Sequence, residues 1–392
     1  MNRIETEILI VGAGIAGLAA TAAFAAAGFE VICLDPELPA TRPDQRLTAF
    51  LMPAVALLQR AGVWQRLQKH AAPIRMMRLV DADPLTHAIG EKADFDCREI
   101  NQDQFGFNLP NAFLRQEFTR HLEQIPSVRI EAPAALDHLT ARSDCVLTRL
   151  TDGRVISTRL LVAADGRHSS VRTILGIKSR TWRYGQRAIV FTVRHAVPHD
   201  NISTEIHQSG GPFTLVPSGD AHQSAVVWME DSAKVSGLMA LSDQDFAAAA
   251  GLRSCNVLGP LTLTSPRAAW PIIAQLANRF DGPRSVLIAE AAHVVPPIGA
   301  QGLNMSLSDI ALLLDLAIEA RKKALDIGSA NLLSRYNARR HPVIAARITA
   351  IDALNRAAQV SSPTLRNLRR SGLHALFTIE PLRKTAMRLG LG

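Results

Sequence analysis

Glu7-Ile8-Leu9-Ile10-Val11-Gly12-Ala13-Gly14-Ile15-Ala16-Gly17, followed by an alanine-rich run to Gly28, is the stretch from which the fold can be read. The apolar run before Gly12 predicts a buried strand, the alanine run predicts a helix, and GxGxxG is the turn between them. Gly12 permits the tight turn, Gly14 lets backbone approach a pyrophosphate, and Gly17 allows the helix to pack closely on the strand. The helix start, with Ala13, Ile15 and Ala16 around it, then faces the anion. A second strand, Glu30-Val31-Ile32-Cys33-Leu34, ends at Asp35, whose carboxylate can accept hydrogen bonds from ribose hydroxyls. The pattern is that of a dinucleotide site and fits NAD and FAD alike. Ile8 to Phe29 is 22 residues without a charge. Its glycines, its alanine and threonine content, and Glu5 and Glu7 before it argue against a signal or membrane-spanning helix.

Working outward, the whole chain has 392 residues, 47% of them hydrophobic and 20% charged, with mean hydropathy +0.09. Such a chain buries a large core, which excludes a disordered tail and a disulfide-stapled scaffold. The length admits two or three domains, or one elaborated α/β fold. Cys33, Cys97, Cys145 and Cys255 are scattered without a CxxC pair, so neither a metal site nor a disulfide framework is expected, and a reducing cytoplasm is the default. The net charge of +8 is concentrated at the end: residues 331–392 hold eleven Lys and Arg against Asp352 and Glu380. That segment has helical spacing, with Ile344, Ile348, Ile351 and Leu354 on one face, interrupted at Pro363 and Pro381. It reads either as a solvated helical face or as a surface for anionic lipid or an acidic partner. Nucleic acid is not expected, since aromatics make up only 5% of the chain and no reader motif is present.

Two further motifs point at the same ligand. Leu160-Leu161-Val162-Ala163-Ala164 predicts a strand ending at Asp165-Gly166, with Ser169 or Asp165 able to cap the helix that follows. Ser285-Val286-Leu287-Ile288-Ala289 predicts another, ending at Glu290-Ala291-Ala292-His293. A loop from Pro296 to Asn304 then leads into a helix from Met305 to about Ala320. Between these motifs, from about Gln186 to Trp270, alternating strands predict a sheet. Phe191, Phe213, Val216 and Trp228 lie on it as core or as pocket wall.

Together the three motifs resemble the FAD-dependent aromatic hydroxylases, single-component flavoprotein monooxygenases that carry GxGxxG, a DG motif and a GD motif in that order. Gly211-Pro212-Phe213-Thr214-Leu215-Val216-Pro217 with Trp228, then Tyr336-Asn337-Ala338-Arg339-Arg340 and Glu380-Pro381-Leu382-Arg383-Lys384, are similar to the ring hydroxylases of ubiquinone biosynthesis. The resemblance spans nearly the whole chain. It implies that Gly12, Gly14 and the helix after them hold the FAD pyrophosphate, that Asp35 holds the adenosine ribose, and that Arg46 lies near the flavin, with Arg115 a further contact. Asp165 and Gly166 would position FAD and the nicotinamide donor, and Glu290 would bind the ribityl chain. The backbone of Pro297, Gly299, Ala300, Gln301, Gly302, Leu303 and Asn304 would surround the isoalloxazine. This chain departs from the family with Ala289-Glu290 for Gly-Asp, Pro296-Pro297 for His-Pro, and Ala300-Gln301-Gly302 for Gly-Gln-Gly.

The implied chemistry is reduction of FAD by NADH or NADPH, capture of O₂ as a flavin C4a-hydroperoxide, and oxygen transfer to the ring of a polyprenylated phenol. No side chain is assigned as catalytic. His293 reads as a structural hydrogen-bonder rather than a base, and Arg42, Arg46 and Arg172 could meet the donor's phosphates. A soluble hydroxylase of a small aromatic acid and a flavin-binding scaffold subunit of a biosynthetic complex are the alternatives. The expected architecture is α/β. A Rossmann-like FAD-binding domain is built from 1–75, 101–180 and 276–330, with an inserted β-rich substrate domain from 76–100 and 181–275. The basic amphipathic helical tail, 331–392, would touch a membrane or a ubiquinone-biosynthesis complex, as a cytoplasmic protein peripheral on the inner face of the membrane. Dimerisation into a homo-oligomer is its competing role.

Overall fold

Strand Arg3–Val11 has its last four residues, Ile8 to Val11, buried on both faces, so it needs neighbours on both edges and cover above and below. It lies between Val31–Leu34 and Val155–Ala163, parallel to both, with Val11 opposite Leu34 and Ala163. The computed structural model, which describes residues 3–39, 44, 46–359, 371–372, 374–375 and 377–391, extends this sheet through Ser285–Leu287 to Asp281–Gly282 on one side and through Val128–Glu131 on the other. The antiparallel strands Leu136–Ala141 and Val146–Leu150 attach to Val155–Ala163. Helix Ile15–Ala26 covers one face, and its alanines allow the close approach. All four cysteines are free, and burial pushes the Cys33 thiol up to about 12, so it is inert packing.

A second sheet runs in the order His293–Val294, Ala268–Ala277, Ser179–His195, Gln223–Asp231, Pro212–Pro217, Ile202–His207, Met76–Ala82, Ile89–Asp96. One face packs on helices Ser232–Ala240 and Asp243–Arg253. There Phe191, Phe213 and Trp228 join Phe246 in a second core, with Phe191 and Phe246 edge-to-face at 4.9 Å. Val216 points the other way, into a cleft. The alternation therefore resolves into three core aromatics and one wall residue. A three-stranded sheet, Leu47–Leu51, Gly106–Pro110 and Ala72–Ile74, completes the strand architecture.

Helices Gln301–Lys322 and Ala330–Gln359 lie side by side. The second turns Leu332, Leu333, Tyr336, Ile344, Ile348 and Ile351 inward, whereas Leu354, expected with the isoleucines, is 59% exposed. Pro342 sits inside this helix, Pro363 lies outside the described residues, and Pro381 opens helix Glu380–Leu391, where a missing N–H costs little. Among the described residues no helix is long and apolar enough to cross a membrane.

Candidate cofactor and substrate cleft

A cleft of about 1150 Å³ opens at the carboxyl ends of the parallel strands and runs to the second sheet. Its floor is the glycine turn, where the three glycines have three separate causes. Gly12 has φ +108°, and a Cβ there would lie 2.4 Å from the Ala164 carbonyl oxygen; one on Gly17 would lie 1.8 Å from the Gly12 oxygen. A Cβ on Gly14 would meet nothing within 4 Å, because that position faces the cleft. Asp35 is tied to the turn: its Oδ2 accepts from the Ala13 N–H at 2.6 Å and its Oδ1 from Glu37 N–H at 2.9 Å.

At the next strand end, Asp165 and Ser169 both cap the helix Ser170–Ile174. Asp165 Oδ2 accepts from Ser170 Oγ and Val171 N–H, each at 3.1 Å, and Ser169 Oγ accepts from Arg172 N–H at 2.9 Å. Asp165 Oδ1 is buried without a hydrogen-bond partner in the structure, a costly state unless a ligand supplies a donor. Arg172 is not among the residues lining the cleft. It is buried and donates to Ala291 O at 2.7 Å and Arg167 O at 2.8 Å, stapling this turn to the one bearing Glu290.

The Glu290 turn is held from beneath. Ala289 stands at φ +54°, a left-handed conformation natural to the glycine it replaces. Asp309, fully buried, takes the Ala289 N–H at 3.1 Å and His293 Nε2 at 2.6 Å on one oxygen, and Arg340 Nε at 2.5 Å on the other. Arg340 also donates to Met305 O at 2.7 Å. Burial alone would raise the Asp309 carboxyl, but His293 and Arg340 outweigh it and hold it below its ordinary value. His293 thus spends its Nε2 on Asp309.

Beyond Glu290, Ala300 again has a left-handed φ, +57°, and the helix begins at Gln301 rather than Met305. Gln301 to Asn304 are therefore its first turn and not loop. Asn304 lies behind the wall: Oδ1 accepts from Leu51 N–H at 2.8 Å, and Nδ2 donates to Ala49 O at 2.8 Å and Ala300 O at 2.7 Å. Arg46 lines the cleft, bidentate on Asp44 at 2.8 and 2.7 Å and 5.7 Å over the Trp270 ring. Asp44 also takes Asn111 Nδ2 at 3.0 Å and lies 3.2 Å from Arg115 Nη2. Burial opposes ionisation of Asp44, yet Arg46 and Asn111 hold it far below the usual carboxylate range.

Of the residues singled out from sequence, Gly12, Gly14, Ile15, Ala16, Asp35, Arg46, Arg115, Asp165, Gly166, Glu290, Pro297, Gly299, Ala300, Gln301, Gly302 and Leu303 line this one cleft. Ala13, Gly17 and Asn304 stand just behind it, and Arg42 lies outside the described residues. Asp44, Asp309 and Arg340 were given no role in the sequence reading. The one available signal was Asp309, a carboxylate inside the apolar run Met305 to Leu314.

A glycine turn, a carboxylate after each of three parallel strands, and a β-sheet wall across the same cleft define an FAD-dependent monooxygenase. FAD suits these residues, given the open position at Gly14 and the unsatisfied Asp165 oxygen. Residues 5–351 match the FAD binding domain family, and the chain belongs to it. It is 34% identical to the Rhodospirillum rubrum protein named Ubiquinone hydroxylase UbiL, over 98% of this chain and 89% of that one. It is 27% identical to the 3-demethoxyubiquinol 3-hydroxylase of Escherichia coli, over the full length of both. The crystal structure of p-nitrophenol 4-monooxygenase from Pseudomonas putida superposes with TM-score 0.82 at 19% identity, covering 100% of this chain and 99% of that one.

Proposed function

We propose that this chain hydroxylates the aromatic ring of a polyprenylated phenol in ubiquinone biosynthesis, using FAD, O₂ and NADH or NADPH. The observation that carries the reading is a single cleft continuous from the glycine turn to an apolar sheet face, in a chain similar throughout to ubiquinone hydroxylases. Bound FAD supplies the electron transfer and oxygen activation. The backbone of Gly12, Ala13 and Gly14 and the helix start at Ile15 and Ala16 take the pyrophosphate, with Gly17 as packing. Asp35 takes the adenosine ribose, Asp165 and Gly166 the centre of the cofactor, and Glu290 the ribityl chain, with Arg46 and Arg115 beside it. The backbone from Pro297 to Leu303 frames the flavin ring, and Asn304 braces that turn from behind.

Opposite, Ile74, Met77, Leu79, Val216 and Val227 form a wall that excludes water and suits an apolar substrate. A small aromatic acid would want a free cation there. On that wall Arg78 is bound bidentately to Asp94 at 2.7 and 2.8 Å, and the acidic side chain of Glu205 offers a substrate carboxylate no cation. The division into FAD-binding segments, inserted substrate sheet and helical tail follows the same reading. The tail would bring the protein to a membrane surface, where a prenylated substrate resides.

The test is the visible spectrum of the purified chain with added FAD, followed by assay with a prenylphenol. Flavin bands near about 370 and 450 nm that remain after gel filtration are expected. So is prenylphenol-dependent oxidation of NADH or NADPH, with one oxygen added to the ring. Absence of flavin uptake with excess FAD overturns the reading. Flavin uptake without ring oxygenation, whichever donor is supplied, leaves the scaffold subunit.

A further inference from the structure

Polar side chains interrupt the apolar substrate wall, and Glu205 is one of them. Strand Ile202–His207 alternates: Thr204 and Ile206 are buried behind the sheet, while Ser203, Glu205 and His207 face the cleft. Register carries Glu205 between Leu79 on one neighbouring strand and Thr214 on the other, with Val227 opposite Thr214. All four members of that row line the cleft, and Glu205 is the one that carries charge.

The carboxylate is oriented rather than loose. His207 donates from Nε2 to Glu205 Oε1 at 2.8 Å, and the two side chains are 19% and 13% exposed. His207 Nδ1 is buried without a hydrogen-bond partner, so the ring's one hydrogen bond is spent on Glu205. Among the described residues nothing hydrogen-bonds to Glu205 Oε2, which is open to the cleft. The fold gains little from a half-buried pair of this kind, because desolvation offsets its attraction. Of the other polar and charged groups around the strand, Arg78 holds Asp94, Arg253 donates to Ile206 O and Gly211 O behind the sheet, and Gln208 reaches His87, while Asp81, buried opposite His207, lines the cleft too.

We propose that Glu205, positioned by His207, is the group that recognises the substrate: its Oε2 accepts the hydrogen bond of the ring hydroxyl. The assignment rests on the phenol-hydroxylase reading above. A hydroxyl that donates to an ionised acceptor is bound more tightly than one that donates to a neutral acceptor, and its oxygen becomes more electron-rich, which favours attack by the ring on an electrophilic oxygen. Glu205 thereby selects free phenols over ring ethers and over aromatic carboxylates.

The test uses the full-length FAD-loaded protein without a nicotinamide donor, so that nothing turns over. A 2-prenylphenol and its O-methyl ether are titrated in, and binding is read from the perturbation of the flavin spectrum. The wild type is expected to prefer the phenol by about tenfold or more. In E205L the preference disappears. In E205Q, which keeps the shape and loses the charge, it falls to about threefold or less, and H207Q lowers it by a smaller factor. E205L or E205Q discriminating as the wild type does, with the flavin spectrum intact, overturns the assignment of Glu205 alone. If neither ligand perturbs the flavin of the wild type, the phenol-hydroxylase reading fails, and this assignment with it.

Discussion

Gly14 and Gly17 stand three residues apart in one turn, yet a methyl group added to each meets opposite surroundings. At Gly17 it would meet the backbone oxygen of Gly12, which cannot yield without moving the strand end; at Gly14 it would project into the cofactor cleft. Gly14 has extended backbone, φ −67° and ψ 174°, open to any residue. G17A should therefore cost about 3 kcal/mol of stability in urea unfolding of the FAD-free chain. G14A should leave that stability within about 0.5 kcal/mol and weaken FAD at least about tenfold, read by quenching of flavin fluorescence. Equal effects of the two on unfolding would mean that Gly14 is a packing residue and that the pyrophosphate lies elsewhere. Ala289 and Ala300 make the complementary point: each holds a left-handed backbone at a glycine position of the family, a strain of about 1–2 kcal/mol that the surrounding contacts must outweigh.

At the scale of elements, the contact that outweighs it at Ala289 comes from two helices. Asp309 on Gln301–Lys322 gathers Ala289, His293 and Arg340, and Arg340 arrives from Ala330–Gln359, so both helices help hold the turn that carries Glu290. The Asp309 carboxyl titrates below its unfolded value, so its contribution is complete above about pH 4 and is lost as pH falls through the lower, folded value. R340M leaves a buried carboxylate short of one partner and should cost about 3–5 kcal/mol at pH 7. The penalty should narrow as pH is lowered toward about 4, because the under-compensated carboxyl then takes up a proton more readily. Urea midpoints at the two pH values check both signs; a penalty that does not change with pH would mean that Arg340 acts by packing alone.

His293 was legible in the sequence as a hydrogen-bonder, but its partners were not, and the reason is physical. The strands, the glycine turn and the three carboxylates at strand ends announce themselves locally, by hydrophobic period and by residues only a turn tolerates. Asp309 and Arg340 meet because two long helices pair, and the spacing of 31 residues between them carries no signal. Phe191, Phe213 and Trp228 show the same limit. Alternation gave the sheet two faces, but only the helices from Ser232 to Arg253 decide which face is core.

On the scale of the molecule, helix Glu380–Leu391 carries Arg383, Lys384 and Arg388 against Glu380. Phe377 and Met387 pack on the cluster around Cys97 and Ile100, whereas Leu382 and Leu389 are 45% and 70% exposed. That helix meets the start of Gln301–Lys322, where Gln301 Nε2 donates to Gly390 O at 3.1 Å, and Arg347 Nη1, from Ala330–Gln359, donates to Gln301 Oε1 at 3.0 Å. Leu354, also exposed, lines the cleft. A bilayer that received Leu382 and Leu389 would lie against a helix hydrogen-bonded to Gln301, which lines the cleft. Each Lys or Arg near an anionic surface adds about 1 kcal/mol at physiological salt, and each inserted leucine adds a term of similar size that salt does not screen. The chain should accordingly co-float with vesicles containing phosphatidylglycerol. Its binding should weaken as salt rises, and L382S/L389S should lower it about tenfold or more while leaving FAD uptake unchanged. Loss with salt but not with the double substitution would place the contact on the arginines alone. Indifference to both would mean that the prenylated substrate reaches the cleft by delivery from a partner rather than from the bilayer.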